Sequence, residues 1–360
     1  MGQLHFDLEE FQQAATTFRR DLLVMPLFAL RDTTQHMTIM TGVTTPQLLG
    51  EKAIRGAEFA PYKANRKTDL DLDLKLRQIV TYFGSLNGEF DPNEAIQTLL
   101  GHRASQAMDG QLASALTAKE VLSLIAKQAG AILHDHLWDA VRNPSGTQTK
   151  DLFNGFDTIT KAEIADGTIS EDNGNLIDLG DEITVDNVLD IFDYILDTMH
   201  PKLRAQQSKI YTSQRIYDLY SRAYKKANHG IPYNTKFDQP TIEGSKGNLV
   251  LLPLQSKTGS NFMHITTKSN LIVGVDQESD AERVTVKDYA PDTLTFMMRM
   301  FFGEQFRSID PTQMLTVKFN GTQAITKPTG AAQASIPESS AAAQHIEVET
   351  NLAKVSDVSD

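Results

Sequence analysis

SKIYTSQRIYDLYSRAY, residues 208–224, changes its period in mid-stretch. Lys209-Ile210-Tyr211-Thr212 reads as a short strand, β-branched and aromatic. Ser213 then caps a helix that runs to about Asn228 and stops at His229–Gly230. Upstream lies another helix, with Thr184 as its N-cap. Val188, Leu189, Ile191, Phe192, Ile195, Leu196 and Met199 lie inside it, and Pro201 follows. Downstream the pattern turns to strands at 248–254, 262–266, 270–276, 283–287 and 294–302. Helix and strand alternate irregularly and no βα unit repeats, so the fold class is α+β.

Outward toward the N-terminus, residues 150–183 read as a loop-rich zone. Asn154–Gly155, Asp166–Gly167 and Asn173–Gly174 are turn dipeptides within it. Before it, Thr117-Ala118-Lys119-Glu120 has the form of a capping box opening a long helix. Val121, Leu124, Ile125, Ile132, Leu133 and Leu137 form the apolar stripe of that helix, and Asn143-Pro144-Ser145-Gly146 ends it. At ~1.5 Å per residue such a helix is long enough to act as a spine for other elements. Asp91-Pro92-Asn93-Glu94 predicts a shorter helix start.

Thr68–Leu76, TDLDLDLKL, alternates without a fault. Period two puts Leu70, Leu72, Leu74 and Leu76 on one face and Asp69, Asp71 and Asp73 on the other. Pro61–Tyr62 and the basic Lys63, Arg66 and Lys67 mark the tip of a long hairpin. Three aspartates along one strand stand ~6.6 Å apart, too far to share one ion unaided, so a solvated or salt-bridging face is expected. Leu4, Leu8, Phe11, Ala15 and Phe18 recur at helical spacing before Pro26. That segment suits either a surface helix docked by one apolar stripe or a partner-binding arm. From Asn320 the chain is rich in Ala, Ser, Thr, Pro and Gln and has no aromatic residue, which predicts a disordered tail.

The whole chain has 360 residues, with Lys+Arg 34 against Asp+Glu 46 and a net charge of −12. That balance disfavours a tight nucleic-acid reader, whose surface must neutralise phosphates. Zero cysteines exclude disulfides, thiolate metal sites and cysteine nucleophiles, and fit a reducing compartment. The opening MGQLHFDLEE is acidic where a signal peptide would be basic and then apolar. No apolar run approaches the ~20 residues that span a bilayer, so no membrane partner is expected.

A search for chemistry finds little. His134 and His136 stand two apart, and two such residues on a helix point ~200° apart and cannot share a metal. Glu171-Asp172-Asn173-Gly174-Asn175 lacks the phase of a calcium loop and reads as a polar turn. Gly244-Ser245-Lys246-Gly247 and Ser256-Lys257-Thr258-Gly259 precede strands rather than helices, unlike loops that cradle phosphates. No spacing points to a nucleophile and its base. No cofactor, metal or catalytic residue is expected, and the chain reads as no enzyme. The rival is an α+β enzyme or ligand-binding protein with a site assembled from distant residues.

The order of parts resembles the major capsid protein of tailed bacteriophages, the Hong Kong-type capsid fold shared with encapsulins. SKIYTSQRIYDLYSRAY, GNLVLLPL, NFMHITTKSNLIVGVD and TLTFMMRMFFGEQF look like that family's central strands and helix and their exit. The spine helix running into NPSGTQTKDLFNGF is similar to its link between helices. The resemblance implies an N-terminal arm over 1–41, an extended β-hairpin loop over 42–88 and a peripheral domain with the spine helix over 89–181. It further implies an axial domain over 182–288, return strands of the peripheral domain over 289–320 and a tail over 321–360. It implies hexamers and pentamers of an icosahedral shell around double-stranded phage DNA held non-specifically, in a virion assembled in the bacterial host cytoplasm. Portal, scaffold and decoration proteins are the implied partners, and another virion or tail protein is the alternative within phages. The expected assembly contacts are Leu70, Leu72, Leu74 and Leu76, with Asp69, Asp71, Asp73, Arg66 and Lys67 beside them.

Overall fold

The computed structural model describes residues 8–18, 21–22, 35–55, 59, 61–62, 71–90, 110–227, 241–276, 284–290 and 293–322. The side chains at 8–10, 51–55, 71–75, 110–118 and 288–290 lie outside the description. The helix start at Asp91, the stop at His229–Gly230 and the tail beyond 322 also fall outside it.

The long helix is α2, Gly110–Asp135, of 26 residues. It begins seven residues before the expected capping box, so Thr117 lies in its interior. Ala113, Ala115 and Ala118 are strong helix formers and carry the helix upstream past that signal. It also ends earlier than expected, leaving His136 in the turn that follows, where its ring meets Asp139 at 3.0 Å. Helix α1, Leu8–Thr17, lies across α2 and the strand β10, Val284–Ala290. Phe11, Ala15 and Leu22 are buried there with Val121, Leu122, Val286 and Phe296. In this chain α1 is thus a helix docked by its apolar stripe.

Two five-stranded sheets form the body. The first joins β1 (Thr38–Thr41), β9 (Leu271–Val275), β11 (Thr293–Phe306) and β10 in that order, with β4 (Tyr82–Phe90) also paired to β11. The second runs β5 (Leu176–Asp178), β12 (Met314–Lys318), β8 (Phe262–Thr266), β6 (Ser208–Ser213), β7 (Leu249–Leu254). Strand β9 lies within 182–288 and β10 straddles its end, yet both belong to the first sheet. Strands β5 and β12 lie outside that range and belong to the second. Strands β6 to β11 stand out in the sequence as β-branched and aromatic runs bounded by turns, β8 and β9 being buried along their whole length, whereas Gly84 and Gly88 interrupt β4, and β1 and β12 are only four and five residues long.

Helix α3, Phe156–Ala165, occupies the zone read as loop. Gly155 precedes it because a Cβ there would come within 2.5 Å of the Trp138 carbonyl oxygen. That closeness lets the amides of Gly155, Phe156 and Asp157 donate to the carbonyls of Ala140, Leu137 and Trp138. The orphan carbonyls after α2 and the orphan amides opening α3 therefore satisfy one another. Helices α4 (Val188–Thr198), α5 (Pro201–Ala205) and α6 (Gln214–Ala227) follow, and α4 and α6 cover the second sheet through Phe192, Ile195, Ile216 and Leu219.

Between the sheets lies an aromatic core of Trp138, Phe153, Phe156, Phe302 and Phe306. Inside it is a fully buried ammonium. Lys257 Nζ donates to Asp157 Oδ1 at 2.9 Å, Ser260 Oγ at 3.0 Å and the Phe262 carbonyl at 2.7 Å, and lies 4.4 Å from the Trp138 ring centre. Three acceptors and an aromatic face replace the water this cation lost. His264 Nε2 meets Thr160 Oγ at 2.8 Å, and its ring stacks on Trp138. Burial, then the Lys257 charge, holds His264 well below the usual imidazole range. Glu304 of β11 is buried beside them. Desolvation pushes its carboxyl well above the usual range, the Phe156 amide opposes that, and Asp157 adds to it.

Candidate assembly surface

Strands β2, Gln47–Arg55, and β3, Asp71–Ile79, form a two-stranded antiparallel hairpin. Its base is anchored to the body. The Arg77 Nε–H donates to the Phe306 carbonyl at 2.9 Å, and its second arm reaches Gln305 Oε1 at 2.9 Å and pairs with Glu163 of α3. Burial raises the Glu163 carboxyl, with Arg77 pulling the other way. Thr81 Oγ donates to the Val43 carbonyl at 2.7 Å, closing the ends of the hairpin together. Leu49 and Ile79 are buried with Val43 and Ile272.

The strand crosses the first sheet at a notch made of two facing glycines. Gly303 of β11 is paired with Gly274 of β9. A Cβ on Gly303 would lie 2.2 Å from the Val80 carbonyl oxygen, and one on Gly274 would lie 2.9 Å from Ile79 Cδ1. Any larger residue at Gly303 would push the crossing chain, and with it the hairpin, off the sheet.

The register pairs Gly50 with Leu76, Lys52 with Leu74 and Ile54 with Leu72. Directly opposed residues share a face, so Leu48, Ile54, Leu72, Leu74 and Leu76 hold positions on one face. Where its side chains are described, that face is open: Leu48 is 66% and Leu76 57% exposed. Leu49, Arg77 and Ile79 lie on the other face, the one turned to the body. The same face carries the positions of Asp71 opposite Arg55 and Asp73 opposite Ala53, with Glu51 opposite Lys75. Opposite charges thus occupy paired positions within the hairpin itself. Toward the hairpin's far end Phe59 and Tyr62 are fully exposed, at 109% and 93%.

Of the residues singled out from sequence, Leu76 is described and open. Asp71, Leu72, Asp73 and Leu74 are placed on the strand, their side chains outside the description, and Lys63, Arg66, Lys67, Asp69 and Leu70 lie outside it altogether. Sequence reasoning missed Leu48, because QLLGEKAIR does not alternate cleanly, and passed over Phe59. A second open surface, of mixed polar and apolar character, was invisible in the sequence. It is a groove of about 520 Å³ where β4, β11, α2 and the loop after it meet, with Phe83, Leu86, Ile132 and Met300 on its apolar side and Arg142, Asn143, Gln148 and Asp151 on its polar side. Phe83 is 54% exposed at its lip.

Comparison with solved structures places this architecture. A chain of the satellite phage P4 procapsid including the size determination (Sid) protein superposes with a TM-score of 0.54 at 11% identity, over 83% of this chain and 90% of that one. A chain of the cyanophage A-1(L) capsid asymmetric unit gives 0.51 at 15% identity, over 82% and 92%. No family model matches the sequence, and no curated protein matches it. The fold is the α+β Hong Kong-type capsid fold, and the resemblance to tailed-phage major capsid proteins holds at the level of fold.

Among the described residues no helix is long and apolar enough to cross a membrane, and no group of three or more His, Cys, Asp or Glu could hold a metal ion. The Glu171–Asn175 segment is a polar turn, with the Gly174 amide donating to the Glu171 carbonyl at 2.9 Å and Gly174 at φ 71°.

Proposed function

We propose that this chain is the major capsid protein of a tailed phage, assembling with itself into hexamers and pentamers of a shell that encloses double-stranded DNA. The observation that carries this is the hairpin: one face is fixed to the body, while the other shows Leu48 and Leu76 to solvent and its far end shows Phe59 and Tyr62. An isolated two-stranded hairpin is marginal in water, so an arm of this kind gains its stability from a neighbour. The open groove by Phe83, apolar on one side and lined by Arg142, Gln148 and Asp151 on the other, supplies a surface on which a neighbour's hairpin, itself part leucine and part charged, would lie. Residues 89–181 and 289–320 form the peripheral domain in this reading, and 182–288 the axial domain. A net charge of −12 suits a container whose wall must not clamp its DNA. The shell reading gives the chain no catalytic site, places it in the virion after assembly in the host cytoplasm, and leaves room for portal, scaffold and decoration partners.

The test is Leu48→Ser combined with Leu76→Ser. Each leucine would contribute roughly 1–2 kcal/mol to a contact when covered. The double variant should keep its circular dichroism and melting temperature and lose capsomers on a sizing column. Unfolding would show that the face belongs to the chain's own core, and unchanged assembly would place the arm elsewhere.

A further inference from the structure

Helix α4 and the turn before it carry a single line of acid. Asp186, Asp190, Asp193 and Asp197 follow at helical spacing and all are exposed, and Tyr194 projects beside them, 55% exposed. Lys226 of the same chain takes Asp186, at 2.7 Å. Among the described residues Asp190, Asp193 and Asp197 have no ion-pair partner. Like charges stacked along one helix repel, so this face is costly to the free chain and gains from an opposing cation.

Helix α6 offers the complement. A shallow cleft of about 330 Å³ on its outer side is lined by Tyr217, Asp218, Ser221, Arg222 and Lys225. Arg222, Lys225 and Lys226 make the last turns of that helix basic and exposed. The cleft has room for an aromatic ring, and guanidinium and ammonium groups at its edge favour both a π face and carboxylates. One chain therefore presents an acidic ridge with an aromatic knob on α4 and a basic hollow on α6.

We infer that the α4 ridge of one copy seats on the α6 cleft of the next, with Tyr194 in the hollow and Asp193 and Asp197 against Arg222 and Lys225. The occupant is a second copy of this chain because the two surfaces complement each other in charge. Ridge and cleft are different patches, so the contact is head-to-tail, and such contacts close into rings when the rotation allows. The inference rests on the capsid reading and adds to it the surface that sets the ring.

The experiment compares five full-length chains, the wild type and four variants, by sizing and negative-stain microscopy, with circular dichroism as the check on folding. Asp193→Lys with Asp197→Lys should cut the assembled fraction at least about tenfold, since like charges now face each other. Arg222→Glu with Lys225→Glu should do the same, and the chain carrying all four changes should assemble again. Tyr194→Ala should raise the concentration needed for assembly by about tenfold. If the wild type assembles and both charge reversals assemble equally well, this contact is wrong while the capsid reading stands. If both reversals abolish assembly and the fourfold variant does not restore it, the pairing of these two faces is also overturned. If the wild type forms no oligomer, both ideas fail together.

Discussion

Lys257 and Asp157 sit at 0% and 6% side-chain exposure, so each is the other's main compensation for lost hydration. Lys257→Met should leave a buried, unpaired carboxylate and cost about 3–5 kcal/mol. Adding Asp157→Asn should recover part of that loss, and chemical denaturation of the double and both single variants measures it. A loss in the double variant equal to the sum of the losses from Lys257→Met and Asp157→Asn alone would show that the pair is not coupled. Glu304 gives the fold a pH dependence. Its raised carboxyl means that the folded chain holds a proton that the unfolded chain releases above about pH 4.5. Its contribution is complete below that value and is lost as pH rises through the folded-state pKa. His264 works in the opposite sense, since its lowered imidazole adds stability above about pH 6.5 that fades as pH falls. Glu304→Gln should therefore flatten the decline in melting temperature on the alkaline side, and an unchanged slope would contradict the buried neutral acid. The sequence displayed Lys257 only as one small-residue loop among others. Its partners come from positions 157, 260 and 262, and no local spacing announces a cluster that two sheets bring together.

At the scale of elements, unbroken alternation of leucine with charged residues was readable as a strand whichever way its faces turn. TDLDLDLKL therefore identified a strand, and its Asp71–Leu76 part lies in β3. What the pattern could not reveal is which face turns to the body, because that depends on the pairing with β2 and on Arg77 reaching the Phe306 carbonyl. The helix over 156–165 was hidden by the turn dipeptides at its ends, Asn154–Gly155 and Asp166–Gly167, which are its caps rather than marks of loop. The glycine notch fixes where the hairpin leaves the sheet. Gly303→Ala should cost about 1–3 kcal/mol through the clash with the Val80 backbone and should weaken assembly beyond that loss. Gly88→Ala, on β4 with open space around the added methyl, is the control and should stay within about ±0.5 kcal/mol. Thermal melts and sizing of the pair separate hairpin placement from strand propensity.

For the whole molecule, open apolar surface is the telling quantity. Leu48, Leu76, Phe59, Tyr62, Phe83 and Tyr194 are all more than half exposed in the single chain. Scattered exposed apolar side chains are ordinary, but here one set lines a projecting hairpin and another the mouth of a groove. A shell gathers these surfaces together, and a lone enzyme would leave them in water. The measurement that tests this most directly is negative-stain electron microscopy of the purified full-length chain across a concentration series, paired with its elution on a sizing column. Closed shells, or rings of five and six copies, are the predicted result. A monodisperse monomer at every concentration would contradict it.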